Sequence, residues 1–340
     1  MSLEQDWGWA HQEQPVERRA LEPDRLATIL VVHNAEEWLP RTLQALSRLD
    51  RLGHLVAVDN GSTDASRRLL EGAVADGLVS ELLDGDAADG FGAAVQRAVD
   101  TLDEHHQWLW LLHDDVEPQP GSLDALLLAT HDTPAPDLVF PKLLHPRRRN
   151  HPDRIAEAGQ SISAGGHRVL GVEDGELDQQ QTAASQVLGG SSAALLVRRA
   201  AWQQLGGMDP AIPLFRDGVE LGWRANQAGL RVVTCPAAAV HHRRAGRTLL
   251  RDSALAPRPA LTDRLLGQRL VAAHSPRPRL TTLRLALGGL LAAIGHLLGK
   301  APSAGADALG AVRTLLLDRA PTFDLHRRLA GRGPVRPVVR

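Results

Sequence analysis

LVAVDNGSTDAS, residues 55–66, is the stretch that decides the fold of this chain. Its first four residues are apolar and read as a short buried strand. The polar turn Asp59-Asn60-Gly61-Ser62-Thr63-Asp64 then leads into SRRLLEGAVADG, residues 66–77, whose spacing predicts a helix. A strand that ends in a polar turn and feeds a helix is half of a parallel crossover unit. The same pattern precedes it. LATILVVH, residues 26–33, reads as a buried strand, and EEWLPRTLQALSRL, residues 36–49, as its helix. There Asn34 can cap the start, and Pro40 is tolerable because it lies in the first turn.

Working outward, strands are expected at 78–83, 107–112 and 137–144, within SSAALLVRR (191–199) and in LRVVTCP (230–236). Helices are expected at 91–103, 122–130, 200–207 and 219–229. Residues 145–185 are polar and Gly-rich and read as loop with a weak hairpin. The sum is an α/β chain with a mostly parallel sheet flanked by helices. At 340 residues and 43% hydrophobic content it is large enough for one big α/β domain plus an appendage. Cys235 is the sole cysteine, which excludes an internal disulfide and a cysteine-held metal cluster and suits a reducing compartment. The first residues are polar and acidic, not a secretory signal, so the body is expected in the cytoplasm.

Charge is unevenly spread. Residues 1–240 carry 20 basic and 35 acidic side chains, and residues 241–340 carry 18 and 5. An acidic body with a basic tail predicts that the tail meets phospholipid headgroups, a diphosphate or nucleic acid, unless it simply packs or is solvated. Within the tail, residues 281–299 are apolar almost all round, near the lower length limit for a membrane span. An interfacial or partner-buried helix fits them equally well. Residues 306–320 make one more amphipathic helix.

Ligands bind open parallel sheets at the carboxyl ends of the strands. Those ends here carry His33-Asn34, the 59–64 turn and His113-Asp114-Asp115. A rim rich in carboxylates is wrong for a bare phosphate and right for a divalent cation that carries one. Asp89-Gly90-Phe91-Gly92 resembles part of a dinucleotide fingerprint, but the third glycine is missing.

Four patches, LATILVVHNAEEWLPRTLQAL, VAVDNGSTDAS, WLWLLHDDVEP and LLVRRAAWQQLGGMDPAIPLFRDGVELGWRANQAGLRVVTCPAAAVHH, resemble in order the inverting family-2 glycosyltransferases, including their rhamnosyl- and galactofuranosyltransferases. The resemblance covers residues 25–245 and implies a GT-A-type domain over 25–248. A polar extension over 1–24 and a basic, amphipathic helical region over 249–340 complete the expected organisation. It implies a nucleotide-diphosphate sugar as donor and Mg2+ or Mn2+ as cofactor. Asp59 would accept the ring N–H of a pyrimidine base, and Asn34, Ser62, Asp64, Asp89, Gly90 and Asp114 would line the donor. Asp115 and His242 would hold the cation, His113 standing where the family has a carboxylate. The family's acidic pattern before an arginine matches Asp217, Glu220 and Arg224. Its expected base position falls on Gly218, leaving Asp217 as base only with a backbone shift. Glu220 is a second catalytic candidate, with an exposed i,i+4 pair to Arg224 as its plain structural reading. Ser191, Ser192, Trp223 and Arg224 are acceptor-side candidates, Trp223 by stacking on a sugar ring. The acceptor would be a glycan or a lipid-linked sugar of the cell envelope, reached from the inner face of the membrane through the basic region, with no nucleic acid expected. A catalytically impaired nucleotide-sugar-binding or scaffolding module is the alternative; a nucleotidyltransferase would need a basic Gly-rich phosphate loop near the N-terminus.

Overall fold

A computed structural model describes residues 25–248, 250–251 and 255–329. The extension expected over 1–24 lies outside them. β1 (Leu26–Val32), β2 (His54–Asp59), β3 (Glu81–Asp84) and β4 (Trp108–His113) pair in parallel in the order β3-β2-β1-β4. β1 is buried along its whole length, as a parallel strand covered on both faces must be. The sheet continues through β10 (Leu196–Arg198), which runs antiparallel to β4 and to β6 (Leu138–Leu144). It then passes to β11 (Val232–His242), parallel to β6, and ends on β5 (Val116–Pro118), with β7 (Ile155–Glu157) added to β6. One apolar layer packs under α1 (Leu39–Leu46), α2 (Ser66–Ala75) and α4 (Ser122–Ala129). The other packs under α3 (Gly90–Val99), α5 (Arg199–Leu205) and α6 (Asp217–Gln227).

One strand runs differently from expectation for a local reason, while the weak hairpin expected within 145–185 is present. β11 does not stop at Pro236: a register shift between Cys235 and Ala239 absorbs the proline, and the strand runs on to His242. Between 145 and 185 a short hairpin forms from β8 (Gln160–Ile162) and β9 (Arg168–Leu170). The Pro-punctuated tail folds into α7 (Pro259–Ala273), α8 (Pro278–Leu298), α9 (Pro302–Leu317) and α10 (Ala320–Leu329). α7 falls in the part of the expected helical region where prolines punctuate the sequence. In α7, α8 and α9 they occupy the first turn, where a missing N–H costs nothing.

This helical layer docks on the sheet domain. Leu266, Leu270 and Leu325 share a buried cluster with Ile162, Val219 and Trp223. The hairpin meets α7 backbone to backbone: a Cβ on Gly267 would lie 2.1 Å from the Gly166 carbonyl oxygen. The far face of α8 is left uncovered. Leu280, Leu283, Leu287, Leu291, Ile294 and Leu298 recur at helical spacing and are each more than half exposed. By length and composition α8 is the one helix among the described residues long and apolar enough to cross a membrane.

Candidate active site

The carboxyl ends of β1, β2 and β4 and the ends of β10 and β11 surround a hollow of about 360 Å3, the size of a small-ligand site. Its floor is the turn after β4. Asp115 is buried there; its Oδ2 accepts the Ala245 N–H at 2.8 Å, and its Oδ1 lies 3.2 Å from Nε2 of His242. Asp115 Oδ1 and His242 Nδ1 are buried without hydrogen-bond partners. Buried polar atoms are normally paired, and orphans of this kind mark a place for a ligand. His113 completes the group: each of the three residues offers a ligand atom within 4.8 Å of the others. Burial opposes ionisation of Asp115, yet the imidazole of His242, with His113 and Arg251 nearby, holds its carboxyl well below the usual range. Burial, and then His242, push the His113 imidazole down to about 3, so it is a neutral ligand at neutral pH. One carboxylate and two imidazoles fit a divalent cation that shares its remaining positions with phosphate oxygens.

The same cluster reaches the base candidate through one serine. Ser192 Oγ donates to Asp217 Oδ2 at 2.8 Å and lies 3.1 Å from His113 Nε2. The serine has a single proton to give, so His113 must carry its own on Nε2, which leaves Nδ1 free to ligate. Asp217 opens α6 and lines the hollow. Its Oδ1 accepts the Gly218 N–H at 2.9 Å. Burial raises its pKa, which the bonds from Ser192 and Gly218 only partly oppose. Gly218, where the sequence comparison put the base, has no room for any side chain: a Cβ there would lie 2.3 Å from the Gly190 carbonyl oxygen and 2.8 Å from the Ser192 nitrogen.

The turns after β1 and β2 brace each other beside the hollow. Asn34 sits in the left-handed region at φ 46°, which asparagine tolerates, and its Oδ1 accepts the Thr63 N–H at 2.8 Å. Ser62 Oγ accepts the Asn34 N–H at 3.1 Å, while Ser62 gives its own N–H to Asp59 Oδ1 at 3.1 Å. Asp64 takes N–H groups from Glu36 and Ser66 at 3.0 and 2.9 Å, so it ties the two turns and starts α2. His33 and Asn60, rather than these four, line the hollow itself. Gly90 also lines it, with φ 79° and its Cα against Pro213.

Several candidates are placed elsewhere. Glu220 and Arg224 do not form an exposed pair: both are buried and neither lines the hollow, with contacts of 2.5 and 2.6 Å between them. Trp223 stacks on His274 of the helical layer, ring centroids 3.9 Å apart, so it is not open to a sugar. The helix period alone would put Glu220 and Arg224 near the face of Asp217; α6 is instead buried from Asp217 to Ala225, so these side chains are enclosed by the chain rather than open to the hollow. Asp89 borders a separate hollow with Gln96 and Asp209. Asp114 lines the main hollow but is committed to the chain, accepting from His33 N at 2.9 Å, Trp38 Nε1 at 3.3 Å and Arg251 at 2.5 Å. His241 turns the opposite way from His242, as strand alternation requires, to the His145 carbonyl at 2.8 Å. Ser191 lines the hollow beside Ser192.

Arg251 was missed. It reaches across the hollow from the loop after β11 to the His33 carbonyl oxygen at 2.7 Å as well as to Asp114. The sequence signal was the run RRAGRTLLR directly after His242, which was read as the start of a basic tail.

Comparison with known proteins agrees with this geometry. The family model for glycosyl transferase family 2 matches residues 28–204. An N-acetylglucosaminyl-diphospho-decaprenol L-rhamnosyltransferase from Mycobacterium tuberculosis is 32% identical over 298 residues, 81% of this chain and 93% of the relative. Among solved structures, GalNAc-T7 with UDP, GalNAc and Mn2+ matches at TM-score 0.52 and 16% identity, covering 64% of this chain and 43% of that one. A mannosyltransferase from Pyrobaculum calidifontis in complex with GDP-Man and Mn2+ matches at TM-score 0.50 and 16% identity, over 90% of this chain and 92% of that one. The structural likenesses speak for the GT-A fold alone; the family match, together with the rhamnosyltransferase relative, shows that this chain is a glycosyltransferase and belongs to glycosyl transferase family 2.

Proposed function

We propose that the chain transfers a sugar, L-rhamnose or a close analogue, from a pyrimidine nucleotide diphosphate to a hydroxyl of a lipid-linked acceptor, with inversion. The observation that carries this reading is the line Asp115–His113–Ser192–Asp217, in which a group fit to hold a cation and the Asp217 carboxylate share one hollow. The rhamnosyltransferase relative supports the sugar and the lipid-linked acceptor. Asp59, held by the braced turns, is suited to accept a ring N–H of the base. Asp217 takes the proton of the acceptor hydroxyl as its oxygen forms the bond to the anomeric carbon. The bond from that carbon to the diphosphate oxygen breaks on the opposite face, which inverts the centre. Ser192 orients Asp217, and Arg251 lies where it can meet leaving-group charge. A divalent cation held by His113, Asp115 and His242 would neutralise the diphosphate as it departs.

The test is transfer from nucleotide-diphosphate rhamnose to a short-chain prenyl-diphospho-N-acetylglucosamine, followed by mass spectrometry. Activity is expected with Mn2+ and to fall at least about tenfold with Mg2+, which keeps oxygen ligands and tolerates two imidazoles poorly. Chelation is expected to abolish it, and His242→Asn to raise the Mn2+ needed for half-maximal rate. Donor binding with no turnover under any metal would favour a scaffolding role instead.

The uncovered face of α8, flanked by Arg277, Arg279 and Lys300, supports docking on an anionic membrane surface near such an acceptor. Replacing Leu287 and Leu291 with glutamate is expected to cost binding to vesicles containing anionic phospholipid about 2 kcal/mol per leucine removed from the apolar phase. Vesicle co-sedimentation unaltered by the double change would refute docking through this face.

A further inference from the structure

Opposite chemistry gathers at another wall of the same hollow. Arg168 of β9, Arg216 before α6 and Arg247 after β11 converge on one carboxylate, Asp263 of α7. Arg216 Nε and Nη2 lie 2.7 and 3.0 Å from its two oxygens, Arg168 Nη2 lies 3.1 Å away and Arg247 Nη2 3.0 Å away. Glu157 approaches Arg168 only to 3.8 Å, and its oxygens already accept from Ser191 and Gln160. Three guanidiniums therefore face Asp263 and the more distant Glu157, with Asp217 near enough to feel Arg168 but pushed by burial towards its neutral form, and positive charge gathers in a buried place. Arg168 Nε and Arg216 Nη1 are buried with no hydrogen-bond partner. A guanidinium has five donors in a fixed fork, so orphaned N–H groups with surplus charge are the signature of a missing anion. The surplus is felt: burial, and then Arg168, bring Arg247 down to about 10, while the three arginines hold Asp263 below its ordinary range against burial.

Arg168 and Arg247 line the hollow, and Arg244 stands beside them. Leu170, Leu214 and Leu255 line it too, so the basic wall is flanked by apolar side chains. Phe215 and Arg244 shape this wall with φ of 61° and 58°, strained values for such residues. Asp263 belongs to the helix that carries the layer with the exposed leucines of α8.

We propose that Arg168, Arg247 and Arg244 form a second anion subsite, which takes the diphosphate of a lipid-linked acceptor while the donor diphosphate lies at the His113–Asp115–His242 group. This rests on the transfer reading above and adds to it the group by which the acceptor is recognised. Two negative groups then enter one hollow without sharing counter-charge, and the acceptor enters from the side of the helical layer.

The test is calorimetric titration of the full chain with farnesyl diphosphate, farnesol and inorganic pyrophosphate, all in chelator. Farnesyl diphosphate is expected to bind at least about tenfold more tightly than farnesol, since a charge-assisted fork is lost with the phosphates. Arg247→Gln is expected to weaken it about tenfold and Arg247→Lys less, the lysine keeping charge but not the fork. Arg247 is the more exposed of the three, so its variants remain informative if Arg168→Gln fails to fold. Binding that disappears in chelator and returns with Mn2+ would mean that the diphosphate sits on the donor's cation, and would overturn the proposal. So would binding unchanged by Arg247→Gln. Pyrophosphate binding as tightly as farnesyl diphosphate would also count against it, assigning the wall to a free anion. Transfer by the unaltered chain to short-chain prenyl-diphospho-N-acetylglucosamine is read separately. If none occurs, the transfer reading fails while the calorimetry still decides the subsite.

Discussion

Asp217→Asn is expected to lower sugar transfer by about 10²–10⁴-fold, the range for loss of a general base, with little change in donor binding. Asparagine keeps the size of the side chain and can still accept from Ser192, but it cannot take a proton. Steady-state kinetics with the donor's dissociation constant measured alongside would check this, and loss of binding in step with turnover would deny Asp217 its role. The acid side of the profile gives an independent sign. Burial raises the Asp217 pKa, so the deprotonated base is lost as pH falls through a value above the ordinary carboxylate range. The decline of kcat should begin correspondingly early in acid and be absent from the residual activity of Asp217→Asn. Moving the carboxylate one residue on should not rescue the variant. With the Gly190 carbonyl oxygen 2.3 Å from a Cβ at 218, Asp217→Asn combined with Gly218→Asp would force apart the very turn that carries Ser192.

Glu220→Ala is expected to destabilise the fold by about 3–5 kcal/mol, because it strands the buried Arg224. That guanidinium also donates to the carbonyl oxygens of Leu205 and Gly207 at 2.7 and 2.8 Å, so it fastens α6 to the end of α5. Replacing both partners at once, Glu220→Leu with Arg224→Met, should recover much of the loss, since no charge is then left buried. Chemical denaturation of the three proteins would measure it. A single variant as stable as the unaltered chain, or one that loses activity with no change in stability, would return Glu220 to the catalytic candidates.

The contrast between these two acidic residues shows what a sequence can and cannot say. β1, β2 and β4 were legible because a strand buried on both faces must be apolar throughout, and their polar ends then had to be a rim. The direction in which each residue of α6 points was not legible. Asp217, Glu220, Trp223 and Arg224 all belong to one resembling pattern, yet only the first faces the hollow. Gly218 looked like a lost base because alignment counts positions, and it could not register that Gly190 passes within contact of that Cα. Arg168, Arg216, Arg247 and Asp263 span nearly a hundred residues, and nothing in their local sequence ties them together. His113 read as a weakened carboxylate position, and its bond to Ser192 is what explains how an imidazole serves there.

The paired glycines where the hairpin meets α7 carry one more implication. With a would-be Cβ on Gly267 only 2.1 Å from Gly166, the two backbones touch at this seam and leave no room for a side chain. If α8 rests on a lipid surface and the layer stays docked, the Asp217 carboxylate is carried at a set height above it, like a tool on a fixed stand. Such an enzyme would work on a glycan stub close to its lipid and pass over chains already grown beyond that height.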